Sequence, residues 1–171
     1  LIRPVYEPAD IDRAKAEGVG PEELIKRGDA RGTEVDKKVA AAAAEVLRRY
    51  GAICDARDLE DHADQIWRAS EKILSLDTKL RRKQGEESLD LARVKHVLID
   101  ELQDFTEGFR AVVSSIQAVG TDVSVFGVGD DWQAINRFAG ANPDLFTDNE
   151  GPISRGKRMT IRTNYRSTRG I

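Results

Sequence analysis

Two short apolar runs constrain the fold of this chain more than any other feature. "VKHVLID", residues 94–100, and "DVSVFGVGD", residues 122–130, are both short and nearly continuous in apolar residues, and both end in acids. Runs of this kind suit strands buried on both faces of a parallel sheet. Residues 105–118 between them place Phe109, Val112, Val113 and Ile116 at helical spacing. Strand, helix, strand is the α/β pattern. Ligands of such sheets bind outside the carboxyl ends of the strands, where Asp100, Glu101 and Asp130 stand. "RMTIRTNYRS", residues 158–167, offers a third candidate strand ending near Asn164.

The preceding residues read as helices. In "GPEELIKRG", residues 20–28, Pro21 suits a first helical position and Gly28 a stop. Thr33 can cap a following helix whose packing face is Val35, Val39, Ala43, Val46, Leu47 and Tyr50. Leu59, Ala63, Ile66, Trp67, Ile73 and Leu74 form a second stripe. Both stripes read as packing surface, and Cys54 as a small buried or half-buried residue. His62 and His96 have no second His or Cys at ligand spacing, so no zinc site is expected. The polar stretch "RRKQGEES", residues 81–88, is the expected boundary. It divides a helical region, 1–88, from an α/β region, 89–171.

Charge is informative in its distribution. The net charge is −3, but residues 151–171 hold Arg155, Lys157, Arg158, Arg162, Arg166 and Arg169 with no acid. Such a cluster suits a phosphate-facing surface, or a solvated loop. The single cysteine fits a reducing compartment. No run approaches the roughly 18 apolar residues of a membrane span, and no signal peptide is apparent, so a cytoplasmic protein is expected. The first residue, Leu1, suggests a piece of a longer chain.

Three motifs carry chemistry. In "VLIDELQD" an apolar strand ends in Asp-Glu, the arrangement known as Walker B. Asp100 would hold Mg²⁺, with Glu101 beside it orienting and deprotonating the attacking water. Mg²⁺ keeps several waters, so one or two carboxylates suffice. In "VGDDWQAINRFAGA", residues 128–141, the Gln133 amide can donate to a γ-phosphate and accept from water, and Phe138 could stack on a base. In "TNYRS", residues 163–167, Tyr165 offers a flat face to a purine and Arg166 a charged fork to a phosphate.

In this order the three motifs resemble those of the UvrD/Rep family of superfamily-one DNA helicases. "VGDDWQAI" with "RFAGA" is most similar to the helicase IV branch. The resemblance covers residues 94–170, and the helical half fits more loosely as part of the family's helical insertion. It implies a partial RecA-like P-loop NTPase sheet, with ATP and Mg²⁺ as cofactors and single-stranded or partly duplex DNA as partner. It implies Asp100 and Glu101 at the metal, Glu101 as catalytic base and Gln133 as γ-phosphate sensor. Tyr165 would stack on adenine, Arg166 would act as arginine finger, and Phe138, with Asn136 nearby, would meet DNA. It also implies a setting in DNA repair and a nucleoid location when on DNA. Three positions depart from the family pattern: Asn136 stands for the usual Tyr, Leu102 for Phe or Tyr, and Ala139 for Arg.

The chain lacks a convincing phosphate loop. "GPISRGKR", residues 151–158, has the Gly-x-x-x-x-Gly-Lys spacing, but Arg158 stands where Ser or Thr must bind Mg²⁺. A strand-like "MTIR" follows where a helix should begin. The expectation is therefore an internal segment of a 3′–5′ DNA helicase or translocase, inactive alone, completed by other parts of its parent chain. A non-catalytic DNA- or protein-binding module and a helicase–nuclease fusion are the alternatives.

Overall fold

The computed structural model describes residues 8–80, 89–142, 144–147 and 156–163, without the side chains of 8–10, 131, 138, 146 and 147. The expected boundary at 81–88, together with Tyr165 and Arg166, lies outside the described residues. Four helices lead the chain: α1 (Pro8–Ala16), α2 (Pro21–Arg31), α3 (Glu34–Arg57) and α4 (His62–Leu74). A short antiparallel pair, β1 (Lys79–Leu80) and β2 (Leu89–Asp90), brackets residues 81–88. Then come β3 (His96–Ile99), α5 (Glu107–Val119), β4 (Ser124–Gly127) and a single turn, α6 (Asp144–Thr147). The protein is thus a mixed, mainly helical α/β structure with a small parallel sheet.

Pro21 opens α2 as expected, and Glu22 and Glu23 sit at the positive end of its dipole. Gly28 is not the stop. It lies buried inside α2, and the helix ends at Gly32, whose φ of 82° needs glycine. Gly28 is required by packing instead: a Cβ there would lie 2.3 Å from the Cβ of Ala40 on α3. Thr33 caps α3 by accepting from the backbone N–H of Asp36 at 3.0 Å. The packing face of α3 differs from the expected stripe. Ala40, Ala43, Ala44 and Leu47 are buried, whereas Val35, Val46 and Tyr50 are exposed. Small side chains let α2 and α3 approach closely, and this rotates the valines outward. Ala43, Ala44 and Leu47 form the first core cluster with Ala14, Val19 and Leu24. On α4, Ile73 is buried and Ile66 and Trp67 half-buried, but Leu74 is exposed, as is Leu59 ahead of the helix.

An ion cluster joins α1 to α4. Lys15 pairs with Asp61 and, at 2.9 Å, with Asp64, while its ammonium lies 4.5 Å from the Tyr50 ring centroid. Asp61 also accepts from the Tyr50 hydroxyl at 2.9 Å and caps α4 in a reciprocal box with Asp64. Burial pushes the Asp61 carboxyl up. Lys15, the Asp64 N–H and the Tyr50 hydroxyl outweigh burial and hold it at about 2. Because this lies below the unfolded value near 3.8, the stability gained is present above about pH 4 and lost as pH falls toward 2. Asp61→Asn keeps a capping oxygen and removes the charge. It should flatten the decline of the urea midpoint between those pH values, by about 1 kcal/mol given the pair's partial exposure. An unchanged acid slope would remove Asp61 from this role.

The second core cluster sits under the parallel pair. β3 and β4 align with His96 opposite Ser124 and Ile99 opposite Gly127. Val97, Ile99 and Val125 face Leu102, Phe105, Val113 and Leu145. The other face is open: Leu98 is 76% and Phe126 62% exposed. The expected burial on both faces is therefore corrected to burial on one, since no described residue covers the second. Phe109, expected inward on α5, is 41% exposed and stacks at 6.1 Å on Phe105. α5 lies against α4, and bare Gly108 permits the approach, because a Cβ would meet Ile66 Cγ2 at 3.0 Å. Described residues 156–163 form no strand, and Met159 and Ile161 are exposed. Apolar alternation makes a strand only beside a partner edge, and this segment pairs with neither β3 nor β4.

Candidate functional site

Parallel pairing brings the carboxyl ends of β3 and β4 side by side. The Val128 N–H donates to the Ile99 carbonyl at 2.8 Å, and the Leu102 N–H donates to the Val128 carbonyl at 2.9 Å. Asp100 and Glu101 leave β3 here with exposed side chains. Asp100 Oδ1 accepts from the Glu101 N–H at 2.9 Å. Glu101 has a left-handed backbone, φ 52° and ψ 45°, uncommon outside glycine and a recurrent feature of functional sites. This conformation turns the chain sharply, so that Leu102 returns to the core at 1% exposure.

From β4 the chain passes through Val128 and Gly129 to Asp130. Asp130 organises the turn that follows. Its Oδ1 accepts from the Trp132 N–H at 3.1 Å, and its Oδ2 from Gln133 Nε2 at 2.7 Å. Gln133 is exposed, at the same end of the sheet as Asp100 and Glu101. Gln103, 2% exposed, bridges the two strand ends. Its Nε2 donates to Glu101 Oε2 at 2.6 Å and its Oε1 accepts from the Asp130 N–H at 2.9 Å.

Asn136 lies further along, away from this junction. With Ala139 it lines a cleft of about 460 Å³ whose other walls include Lys15, Tyr50, Trp67, Asp104 and Phe109. The 136–142 segment is tied to the end of the first strand region by the Asn142 N–H, which donates to the Phe105 carbonyl at 2.9 Å. The Phe138 side chain lies outside the described residues. Trp132, at 92% exposure, is not core. The fold thus joins Asp100, Glu101 and Gln133 and sets Asn136 apart in the cleft.

Among the described residues no group of three or more His, Cys, Asp or Glu side chains could enclose a metal. The exposed Asp100 carboxylate still fits a cation that keeps most of its waters. Of the candidate phosphate loop "GPISRGKR", residues 151–155 lie outside the described residues. Residues 156–163 contain no helix, the element a phosphate loop must open. No helix among the described residues is long and apolar enough to cross a membrane. Sequence reasoning used Gln103 only to sharpen the motif and Asp130 only as an acid at a strand end, and gave neither a hydrogen-bonding role. The available signals were an amide two residues beyond Glu101 and an acid three residues after Gly127, the last residue of β4.

Comparisons with known proteins bear on the family of the chain. DNA helicase IV of Escherichia coli (strain K12) is 39% identical over 72 residues, covering 42% of this chain and 10% of that protein. An ATP-dependent helicase/nuclease subunit of Lysinibacillus sphaericus (strain C3-41) is 33% identical over 127 residues, covering 70% of this chain and 10% of that protein. Its namesake from Lactobacillus johnsonii (strain CNCM I-12250 / La1 / NCC 533) is 28% identical over 138 residues, covering 79% and 11%. The chain therefore spans about a tenth of the length of these relatives. No solved structure matches it. The family model for the UvrD/REP helicase N-terminal domain matches residues 8–153, and the chain belongs to that family.

Proposed function

We propose that this chain is part of the first, RecA-like motor domain of an ATP-dependent DNA helicase or translocase moving 3′ to 5′. The supporting observation is the meeting of Asp100, Glu101 and Gln133 at the adjoining ends of two parallel strands. On this reading residues 1–88 belong to the helical insertion and its return, and 89–171 to the motor core. Asp100 would hold Mg²⁺ when MgATP is bound. Bound magnesium supplies charge neutralisation on the phosphates. Glu101 accepts a proton from the attacking water, and the Gln133 amide responds to the γ-phosphate. Tyr165 stacks on adenine and Arg166 neutralises charge developing in the transition state. Phe138 and Asn136 meet single-stranded or partly duplex DNA. The parent works in the cytoplasm, on nucleoid DNA, in a repair setting.

On this reading the segment by itself does not hydrolyse ATP, because no loop among the described residues cradles the phosphates. Two of the relatives named above are helicase/nuclease subunits, which favours a helicase–nuclease parent as the second reading. A carboxylate-rich nuclease domain elsewhere in the parent would decide for it. The primary reading is tested by ATPase assay of the full-length parent, with and without single-stranded DNA, beside Asp100→Ala. DNA-stimulated turnover should fall by about 10²-fold or more in the variant. A parent without turnover, retaining the fold but only binding DNA or protein, would overturn the motor reading.

A further inference from the structure

Gln103 is the most buried polar side chain of the parallel-sheet region, at 2% exposure, and both ends of its amide are engaged. We propose that Gln103 is a positioning residue for the hydrolytic step, fixing the Glu101 carboxylate against the β4 strand end. The inference rests on the reading of Glu101 as general base. An amide is the side chain that suits this place. The Glu101 carboxylate needs a donor and the Asp130 N–H needs an acceptor, and one planar amide supplies both. An ionised carboxylate cannot donate, and a lysine or arginine cannot accept. Leucine or methionine would fill the volume and leave the Asp130 N–H without its acceptor.

The surrounding fold is shaped to admit this bridge. Gly129 packs directly on it: a Cβ there would lie 2.7 Å from Gln103 Oε1 and 3.0 Å from the Gln103 backbone nitrogen. The left-handed turn at Glu101 brings residue 103 back beneath the carboxylate it holds. The exposed Glu101 side chain would otherwise sample several rotamers. The bond to Oε2 selects one and leaves Oε1 with no protein partner among the described residues, which is the oxygen open to a water. The same bridge continues outward. Asp130, held through its N–H, holds Gln133 through its carboxylate at 2.7 Å. Base and amide sensor are therefore set by one hydrogen-bonded chain.

The test uses the full-length parent. DNA-stimulated ATP turnover is measured for wild type, Gln103→Met, Gln103→Glu, Glu101→Gln and the Glu101→Gln/Gln103→Met double variant. Gln103→Met should lower kcat by about 10- to 100-fold and leave the KM for ATP within about threefold. Gln103→Glu keeps the shape of the side chain but, when ionised, has no proton to donate to Glu101, so its kcat should fall at least as far while the KM for ATP stays within about threefold. The double variant should be no slower than Glu101→Gln alone, since both changes act on one group. A Gln103→Met kcat within about threefold of wild type overturns the proposal, as does a further loss in the double variant. If Gln103→Met does not fold, a Gln103→Glu kcat within about threefold of wild type overturns it. Absence of wild-type turnover, or full turnover in Glu101→Gln, overturns the underlying reading of the site and the proposal with it. Loss in Glu101→Gln with none at Gln103 overturns the proposal alone.

Discussion

Glu101→Gln in the full-length parent is expected to lower DNA-stimulated ATP turnover by about 10³-fold while nucleotide binding changes by no more than a few-fold. The replacement keeps size and one acceptor oxygen and removes the charge and the ability to take a proton. The Gln103 amide can still donate to the new side-chain oxygen, so the local fold should persist. Leu102 and the turn beneath it are set by backbone bonds to Val128, which the change does not touch. Binding of a fluorescent nucleotide, measured beside steady-state turnover, separates the two effects. Retained turnover would show that water is activated elsewhere. Loss of binding and turnover together would show that Glu101 holds the nucleotide and does not serve as a base.

The largest stability effect is expected at Gly28. By helix propensity alone, Gly→Ala in a helix interior should stabilise by about 1 kcal/mol. Here the added methyl would lie 2.3 Å from the Cβ of Ala40, which is 1% exposed, and 3.2 Å from the Asp36 carbonyl oxygen. Neither neighbour is a flexible side-chain end, so α2 and α3 must move apart. Overpacking of this kind costs about 1–3 kcal/mol and sometimes more. Gly28→Ala should therefore destabilise, net, by about 2 kcal/mol and lower Tm by about 4–8 °C. Adding Ala40→Gly should recover part of that loss, because it vacates the volume the new methyl needs. A Gly28→Ala variant more stable than wild type would mean that propensity outweighs packing.

The sequence showed some of this architecture well and some not at all, for reasons particular to each place. β3, α5 and β4 were legible because apolar runs of strand length flank a helical repeat, and parallel pairing then follows from connection length. Asp100, Glu101 and Gln133 were legible as one group because that pairing fixes where the strands end. Gly28 was misread because its meaning is tertiary: a glycine that ends a helix and one that admits a neighbouring helix look alike in the chain. The exposed valines of α3 misled for a similar reason, since alanines formed the closer interface. Burial of both sheet faces was expected from composition, but whether a face is covered depends on residues elsewhere. The 158–167 strand needed a partner edge that the described segment does not meet. Gln103 was legible as part of the motif but not as a bridge, because a buried amide acquires that role only once Asp130 is beside it.

The open face of the β3–β4 pair bears on how such a chain assembles. Each residue of β3 pairs with one 28 positions later, His96 with Ser124 and Ile99 with Gly127. The loop closed is therefore short, and α5 within it carries its own Thr106 cap. A strand–helix–strand unit of this kind can form early, since loop closure costs less at short separation. Leu98 and Phe126 then face water, so an adhesive surface is on show as soon as the pair closes. Intermolecular capture on that surface is a question of concentration and time rather than of native stability.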